Sequence, residues 1–429
     1  MKKMISIIIL LIVIFTGYVV SQLLFKNKGI RTNDATYSLH KTPSNTEKKY
    51  LFTLQDKLIT NSKKEIKDRD IKEIIPRNIN DKNQENLKKK LIKLLPPQDD
   101  KIYFGAFPDF GGSEDNVSAS RIEQFEMLAN KKTAWAYFSQ NWFNGIRYPQ
   151  KEIHEIIRAN TIPFIRLMPR NDEVQFKKEN NFNLQNIIDG KFDRELRQWA
   201  QDAKEDYQKT NTPLLIDFAV EPNGNWFSWS GVFNGAGHLD SYGNENYPDG
   251  PEKYRDAYRH IIDIFRTEGV FHVTWFFHPD IYSVPDEEWN QPKYYYPGDD
   301  YIDWIGFSIY GPQNTGENYW DTFSDILNER YKAILNISSN KPLAILEFGV
   351  TDNHPLGQKD KWLNNAFQTI LSNSYLNLKA ISYWHENWEE ENGSQAKIRI
   401  DSSEKSLNEF QKQSRNKKFI SKLQFLMKK

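Results

Sequence analysis

The chain has 429 residues and no cysteine, which excludes disulfide bracing, thiol catalysis and a cysteine-linked lipid anchor. It also lacks a charge excess. With 57 Lys and Arg against 57 Asp and Glu, the formal net charge is +0, so the basic surplus that draws a protein to nucleic acid is missing. Histidine is scarce, 8 residues scattered along the chain, and His154-Glu155 is followed by Arg158 where a zinc-binding helix needs a second His. No Gly-x-Ser-x-Gly elbow or phosphate-cradling glycine loop occurs. No metal and no cofactor are therefore expected. Long apolar runs are rare as well. Residues 4–25 form the one that stands out, uncharged and mostly apolar behind Lys2 and Lys3. Its length, about 22 residues, suits a bilayer crossing of roughly 20 and exceeds the roughly 7 to 15 of a signal-peptide core. Val19-Val20-Ser21 is only a weak cleavage site, so the expectation is an uncleaved membrane anchor over 1–25, with secretion after cleavage as the alternative.

Aromatic residues, by contrast, are plentiful: 14% of the chain, with 12 Trp, more than a core alone calls for. Residues 26–100 are rich in Lys, Asn, Asp, Gln and Ser and poor in large apolar side chains, which predicts a polar stalk with short helices over 50–59 and 86–95. After Pro97 the texture changes to strands alternating with amphipathic helices. Strands are predicted over 102–107, 134–139, 163–168, 214–220, 272–277, 304–309, 343–346 and 380–384. Helices are predicted over 121–129, 152–158, 192–203, 254–265, 323–335 and 362–371. Phe323, Ile326, Leu327, Tyr331, Ile334 and Leu335, at steps of three and four, mark one helix face. Eight such units in roughly 320 residues match an α/β fold, a (β/α)8 TIM barrel, over 101–415, followed by a basic C-terminal tail over 416–429. The stretches 231–251 and 280–300, rich in Gly, Pro, Asp and Tyr, are expected to be long loops at the barrel mouth.

Two of these strands end on glutamate. Pro213-Leu-Leu-Ile-Asp-Phe-Ala-Val-Glu221 is a nearly continuous apolar run broken by Pro222-Asn223-Gly224, and Lys341-Pro-Leu-Ala-Ile-Leu-Glu347-Phe-Gly349 repeats the pattern. Such runs are parallel strands buried on both faces. A barrel builds its active site at the C-terminal mouth of its strands, so two carboxylates placed there suit glycosidic cleavage, one as acid/base and one as nucleophile. Trp226 and Trp229 follow Glu221 in a Gly/Asn loop, where flat indole faces suit sugar rings. By strand alternation Asp217, Ala219 and Glu221 share a face, so Asp217 lies deeper on the same side. A buried carboxylate needs a partner, and Arg166 on the preceding strand is the expected one.

Glu221-Pro-Asn-Gly-Asn-Trp-Phe-Ser-Trp229, the segment ending Glu347-Phe-Gly349, and Tyr301-Ile-Asp-Trp-Ile-Gly-Phe-Ser-Ile-Tyr310-Gly311 together resemble glycoside hydrolase family 26, a family of retaining barrel glycosidases that includes β-mannanases and mixed-linkage glucanases. The resemblance covers residues 103–403. It implies an endo-acting retaining hydrolase of a β-linked mannan, glucan or cell-envelope exopolysaccharide, with Glu221 as acid/base and Glu347 as nucleophile. It further implies Trp226, Trp229 and Trp384 as sugar platforms, Tyr310 as the group orienting Glu347, and Asn223, His278 and Arg166 as hydroxyl-binding or supporting residues. Two positions depart from the family pattern: Val220 stands where a His usually precedes the acid/base, and Asp217 where an Arg is usual. The departures motivate an alternative, a non-catalytic membrane-tethered polysaccharide-binding protein. The expected partners are a polysaccharide and, through residues 1–25, a membrane, with no nucleic acid. A monomer is expected, its barrel outside the cytoplasm.

Overall fold

The computed structural model describes residues 91–389 and 393–427. Eight parallel strands form its centre: β1 (Ile102–Phe107), β2 (Trp135–Asn141), β3 (Ile162–Met168), β4 (Leu214–Phe218), β5 (Val273–Phe277), β6 (Trp304–Tyr310), β7 (Leu343–Gly349) and β8 (Leu378–Trp384). Each pairs with the next, and Tyr103 to Phe107 of β1 pairs in register with Ala380 to Trp384 of β8. The sheet is therefore closed, which removes its edges and lets every backbone donor find a neighbour. Helices connect the strands, among them Ala119–Ala129, Gln150–Arg158, Asp193–Thr210, Asp249–Thr267, Phe323–Leu335 and Lys359–Leu371. These are the predicted elements, displaced at their ends by a few residues.

Aromatic residues fill the barrel. Trp135 and Tyr137 of β2 both meet Phe164 of β3 edge to face, at ring-centroid distances of 5.8 and 4.6 Å. Such pairs contribute about 0.5–1.5 kcal/mol each beyond the area they bury. Trp135 reaches across to donate from Nε1 to Ser382 Oγ of β8 at 3.3 Å. Above this layer the inward side chains turn polar, and the long loops 219–248 and 278–303 rise over the mouth.

The floor is built from the first and last of the described residues. Ile92–Leu94 is a strand paired antiparallel with Phe425–Met427. Of the predicted helix over 86–95, residues 86–90 lie outside the described residues, and the remainder is this strand instead. Tertiary bonds override the local spacing: Trp304 Nε1 donates to Leu94 O at 3.1 Å, Tyr103 Oη to Leu95 O at 3.0 Å, and Lys93 Nζ pairs with Asp303 at 2.6 Å. Phe419–Ile420 adds a parallel pair beside Ile102 and Tyr103. The last residues of the predicted stalk and much of the predicted tail thus join the folded body. Among the described residues no helix is long and apolar enough to cross a membrane; the run over 4–25 lies outside them.

Candidate active site

Glu221 sits three residues past the end of β4, because Ala219 and Glu221 adopt positive φ of 50° and 52° and turn the chain out of the strand. The predicted strand to 220 ends early for this reason. The turn is held by Ala219 N–H donating to Leu167 O at 3.0 Å and Glu221 N–H to His278 O at 2.6 Å. Trp226 then folds back, and its Nε1 donates to Glu221 Oε2 at 2.8 Å. Gly224 permits this, since a Cβ there would lie 2.5 Å from the Trp226 ring.

Glu347 lies inside β7. The ladder between β6 and β7 slips by one residue at Phe307/Ser308, so Ser308 faces Glu347 and Leu346 is the extra residue. Gly306 makes room for it, as a Cβ there would meet Leu346 at 2.2 Å. A bulge beside a reacting centre re-aims a side chain. Two groups converge on Glu347: Tyr310 Oη donates to Oε2 at 3.0 Å, and the Arg166 guanidinium forms an ion pair with it, Nη2 lying 3.4 Å from Oε1 without a hydrogen bond. Both glutamates are buried, and carboxylate oxygens of the two approach within 4.8 Å of each other and of a His278 ring nitrogen. Burial pushes the Glu347 carboxyl up to about 8, with the negative charges of Glu221 and Glu114 adding to it and Arg166 and Tyr310 pulling the other way.

His278 completes the only group of three potential metal ligands among the described residues, but its ring is already committed. Nδ1 lies 3.0 Å from Asp217 Oδ2 and 2.9 Å from Tyr137 Oη, and Nε2 lies 2.9 Å from Ser308 Oγ. Neither nitrogen keeps a free lone pair for a cation. The ring is also fully enclosed, so it braces the site from below and does not bind a sugar hydroxyl.

The expected Arg166–Asp217 pair does not form. The two residues are register partners across β3 and β4. Asp217 instead accepts from Tyr137 Oη and faces His278 Nδ1, while the longer Arg166 reaches up to Glu347 and Glu114, 2.8 Å from Glu114 Oε2. The short carboxylate is satisfied inside the barrel, and the guanidinium serves the mouth.

The platform expected of Trp229 is corrected, and of the two roles open to Asn223 the geometry fits support. Trp229 is 1% exposed, donates from Nε1 to Val220 O at 2.7 Å and stacks on Phe227, so it locks the loop and offers no platform. Asn223 is fully buried. It bolts the two mouth loops together, donating to Asp280 O at 3.0 Å, accepting from Asp280 N–H at 2.9 Å, and receiving Asn290 Nδ2 on its carbonyl at 2.8 Å. Trp384 stands at the mouth with one face stacked on Phe107, centroids 4.0 Å apart, and lies 5.0 Å from the Arg166 guanidinium.

Sequence reasoning missed Tyr137, Ser308, Glu114, Asp280 and Glu386. Burial first, then the charge of Glu221, holds the Asp280 carboxyl well above the usual range. Burial likewise pushes Glu386 up to about 8. Glu114, Asp280 and Glu386 all follow the C-terminal ends of strands, and that position was the signal that could have found them.

The chain has relatives of known name. The model of glycosyl hydrolase family 26 matches residues 172–345. Endoglucanase H of Acetivibrio thermocellus is 28% identical over 276 residues, 63% of this chain and 27% of that protein. A mannan endo-1,4-beta-mannosidase of Bacillus subtilis is 23% identical over 247 residues, 58% of each. The chain thus matches less than two thirds of either relative's length. Among solved structures, the catalytic domain of a Bacillus sp. JAMB-750 GH26 endo-beta-1,4-mannanase superposes with a TM-score of 0.53 at 17% identity, covering 75% of this chain and 87% of that one, a likeness of fold. The family model spans less than half of the chain and both relatives are under 30% identical, so the chain is similar in sequence to glycosyl hydrolase family 26, whose members act on O-glycosyl bonds.

Proposed function

We propose that this protein is an endo-acting retaining hydrolase of a β-linked polysaccharide, with Glu347 as nucleophile and Glu221 as acid/base. The observation that carries the reading is the approach of the two carboxylates within 4.8 Å. Retaining pairs stand about 5–5.5 Å apart, whereas inverting pairs leave roughly 6.5–9.5 Å for a water. A Glu347 oxygen attacks the anomeric carbon as the bond to the leaving sugar breaks, and Glu221 gives its proton to the departing oxygen. Glu221 then takes a proton from water, whose oxygen displaces Glu347 and frees the sugar.

The groups that face each carboxylate favour this division of labour. Arg166 and Tyr310 both face Glu347 and support its charged form, while Glu221 receives a single indole N–H from Trp226. Retaining cleavage needs one carboxyl of the pair protonated and the other charged in the active state. Trp226 beside Glu221 and Trp384 beside Arg166 are the indoles we assign to sugar contact. The relatives' names, an endoglucanase and a mannan endo-1,4-beta-mannosidase, support glucan or mannan as the polymer class. Val220 in place of the family's usual His, with no hydrogen bond to offer a sugar, weighs against mannan. We also take residues 4–25 as a membrane anchor holding the barrel outside the cytoplasm, where a cell-envelope polysaccharide is within reach.

The test is reducing-end release by the full chain on mannans, mixed-linkage and cellulosic glucans, xylans and the host's own exopolysaccharide, beside Glu347→Ala. Release that the substitution abolishes is expected. Tight binding to one polymer without release, unaffected by the substitution, would replace the reading with that of a binding protein. Membrane fractionation and external protease accessibility test the anchor: a chain found only in the medium, shortened near Ser21, would refute it.

A further inference from the structure

The loop after β1 delivers a side chain that no part of the two-glutamate mechanism uses. Glu114 follows Gly111-Gly112-Ser113 and has φ of 63°, the left-handed region, where Gly or Asn is less strained. Its backbone is tied on both sides: N–H donates to Gly111 O at 2.9 Å, and C=O accepts from Ser139 N–H of β2 at 3.0 Å. Its carboxylate accepts from Ser139 Oγ and, through Oε2, from Arg166 Nη1 at 2.8 Å. A glutamate kept in a backbone state that disfavours it implies that its carboxylate is needed there.

What that carboxylate holds is the Arg166 fork. Arg166 is 3% exposed, with Tyr137 and Trp384 at 5.4 and 5.0 Å, and its other arm, Nη2, reaches Glu347 Oε1 at 3.4 Å. One buried guanidinium thus spans two carboxylates, one from the loop after β1 and one from β7. We propose that Glu114 is a positioning residue for Glu347: through Arg166 it fixes the guanidinium against the nucleophile and takes a share of its charge. The inference rests on the reading of Glu347 as nucleophile.

Electrostatics agrees with the geometry. Arg166 from β3 and Tyr310 from β6 favour ionised Glu347. Glu221 from the β4 loop, Glu114 from the β1 loop and Asp280 after β5 oppose it, and Tyr137 and His278 lie beneath. Of the negative groups, Glu114 is not one of the reacting pair and contacts Arg166 and Ser139, so its charge can be removed without altering either carboxylate of that pair.

The experiment is the pH profile of kcat/KM for the full chain, wild type against E114Q, E114A and S139A, on whichever polymer the full chain hydrolyses. E114Q keeps an acceptor and removes the charge, so the acidic limb, which reports ionisation of Glu347, is expected to move down by about half to one pH unit. S139A shifts the limb less, in the same direction. E114A also frees the fork, and kcat is expected to fall roughly tenfold or more with KM little changed, as when a reacting group is misplaced. Wild-type limbs and kcat in E114Q and E114A, even with a lowered melting temperature, would overturn the proposal, as would an upward shift in E114Q. If E114A does not fold, E114Q and S139A decide. Failure of the nucleophile reading is separate, since it would show as activity surviving E347A.

Discussion

The two glutamates of the mouth are held in opposite ways. Glu347 sits within a strand, its register set by a bulge and its oxygens faced by Arg166 and Tyr310. Glu221 sits on a loop, in left-handed backbone, with one indole donor. The difference suits the job proposed for each. A nucleophile must be ionised when it attacks and in line with the anomeric carbon, so rigid placement serves it, as do the Tyr310 hydroxyl and the Arg166 cation, which offset part of the cost of burying its charge. An acid/base must give up its proton and take it back, so an excess of donors would hinder it.

Breaking the rigid side should cost most. Glu347→Ala is expected to reduce turnover by roughly 10^4-fold or more while circular dichroism stays native. Glu221→Ala should separate substrates: roughly 10^2 to 10^4-fold loss on polysaccharide, and near-normal glycosylation of the enzyme by aryl glycosides with very good leaving groups. Equal loss on both would remove Glu221 from the acid role. Trp226→Phe keeps an aromatic ring, though a smaller one, and deletes the N–H, so about tenfold in kcat/KM is the expected cost, read from steady-state kinetics. The smallest effect is on stability. Glu347 stands at about 8 in the folded chain against an ordinary 4.5, so the folded state holds an extra proton between those values and loses stability as pH rises through them. Glu347→Gln stays neutral throughout. Its melting temperature relative to wild type should rise by a few degrees from about pH 5 to about pH 9, and a flat difference would contradict the raised carboxyl.

Much of this was legible in the sequence because parallel strands and amphipathic helices write periodic patterns. The eight strands and the placing of Glu221 and Glu347 at the mouth came from apolar runs that end on a carboxylate. The supporting residues left no such mark. Arg166 and Asp217 sit in register on adjacent strands, yet side-chain length sends one to the mouth and leaves the other inside with Tyr137 and His278. Trp229 and Trp226 are three residues apart in one aromatic loop, and only the turn of the backbone decides that one is buried and the other touches Glu221. The strand at 92–94 was read as helix because its partner lies at the other end of the chain.

That terminal pairing has a mechanical consequence. Residues 92–94 enter the barrel from beneath, clasped to 425–427 and bonded to Phe271, Thr274 and Trp304, all at or next to the starts of strands. A pull on the preceding residues is delivered to the underside, and the eight strands lie between that load and the mouth. Shortening the chain at Pro97 would remove half of the clasp, so the barrel is best handled with residues 91–96 in place.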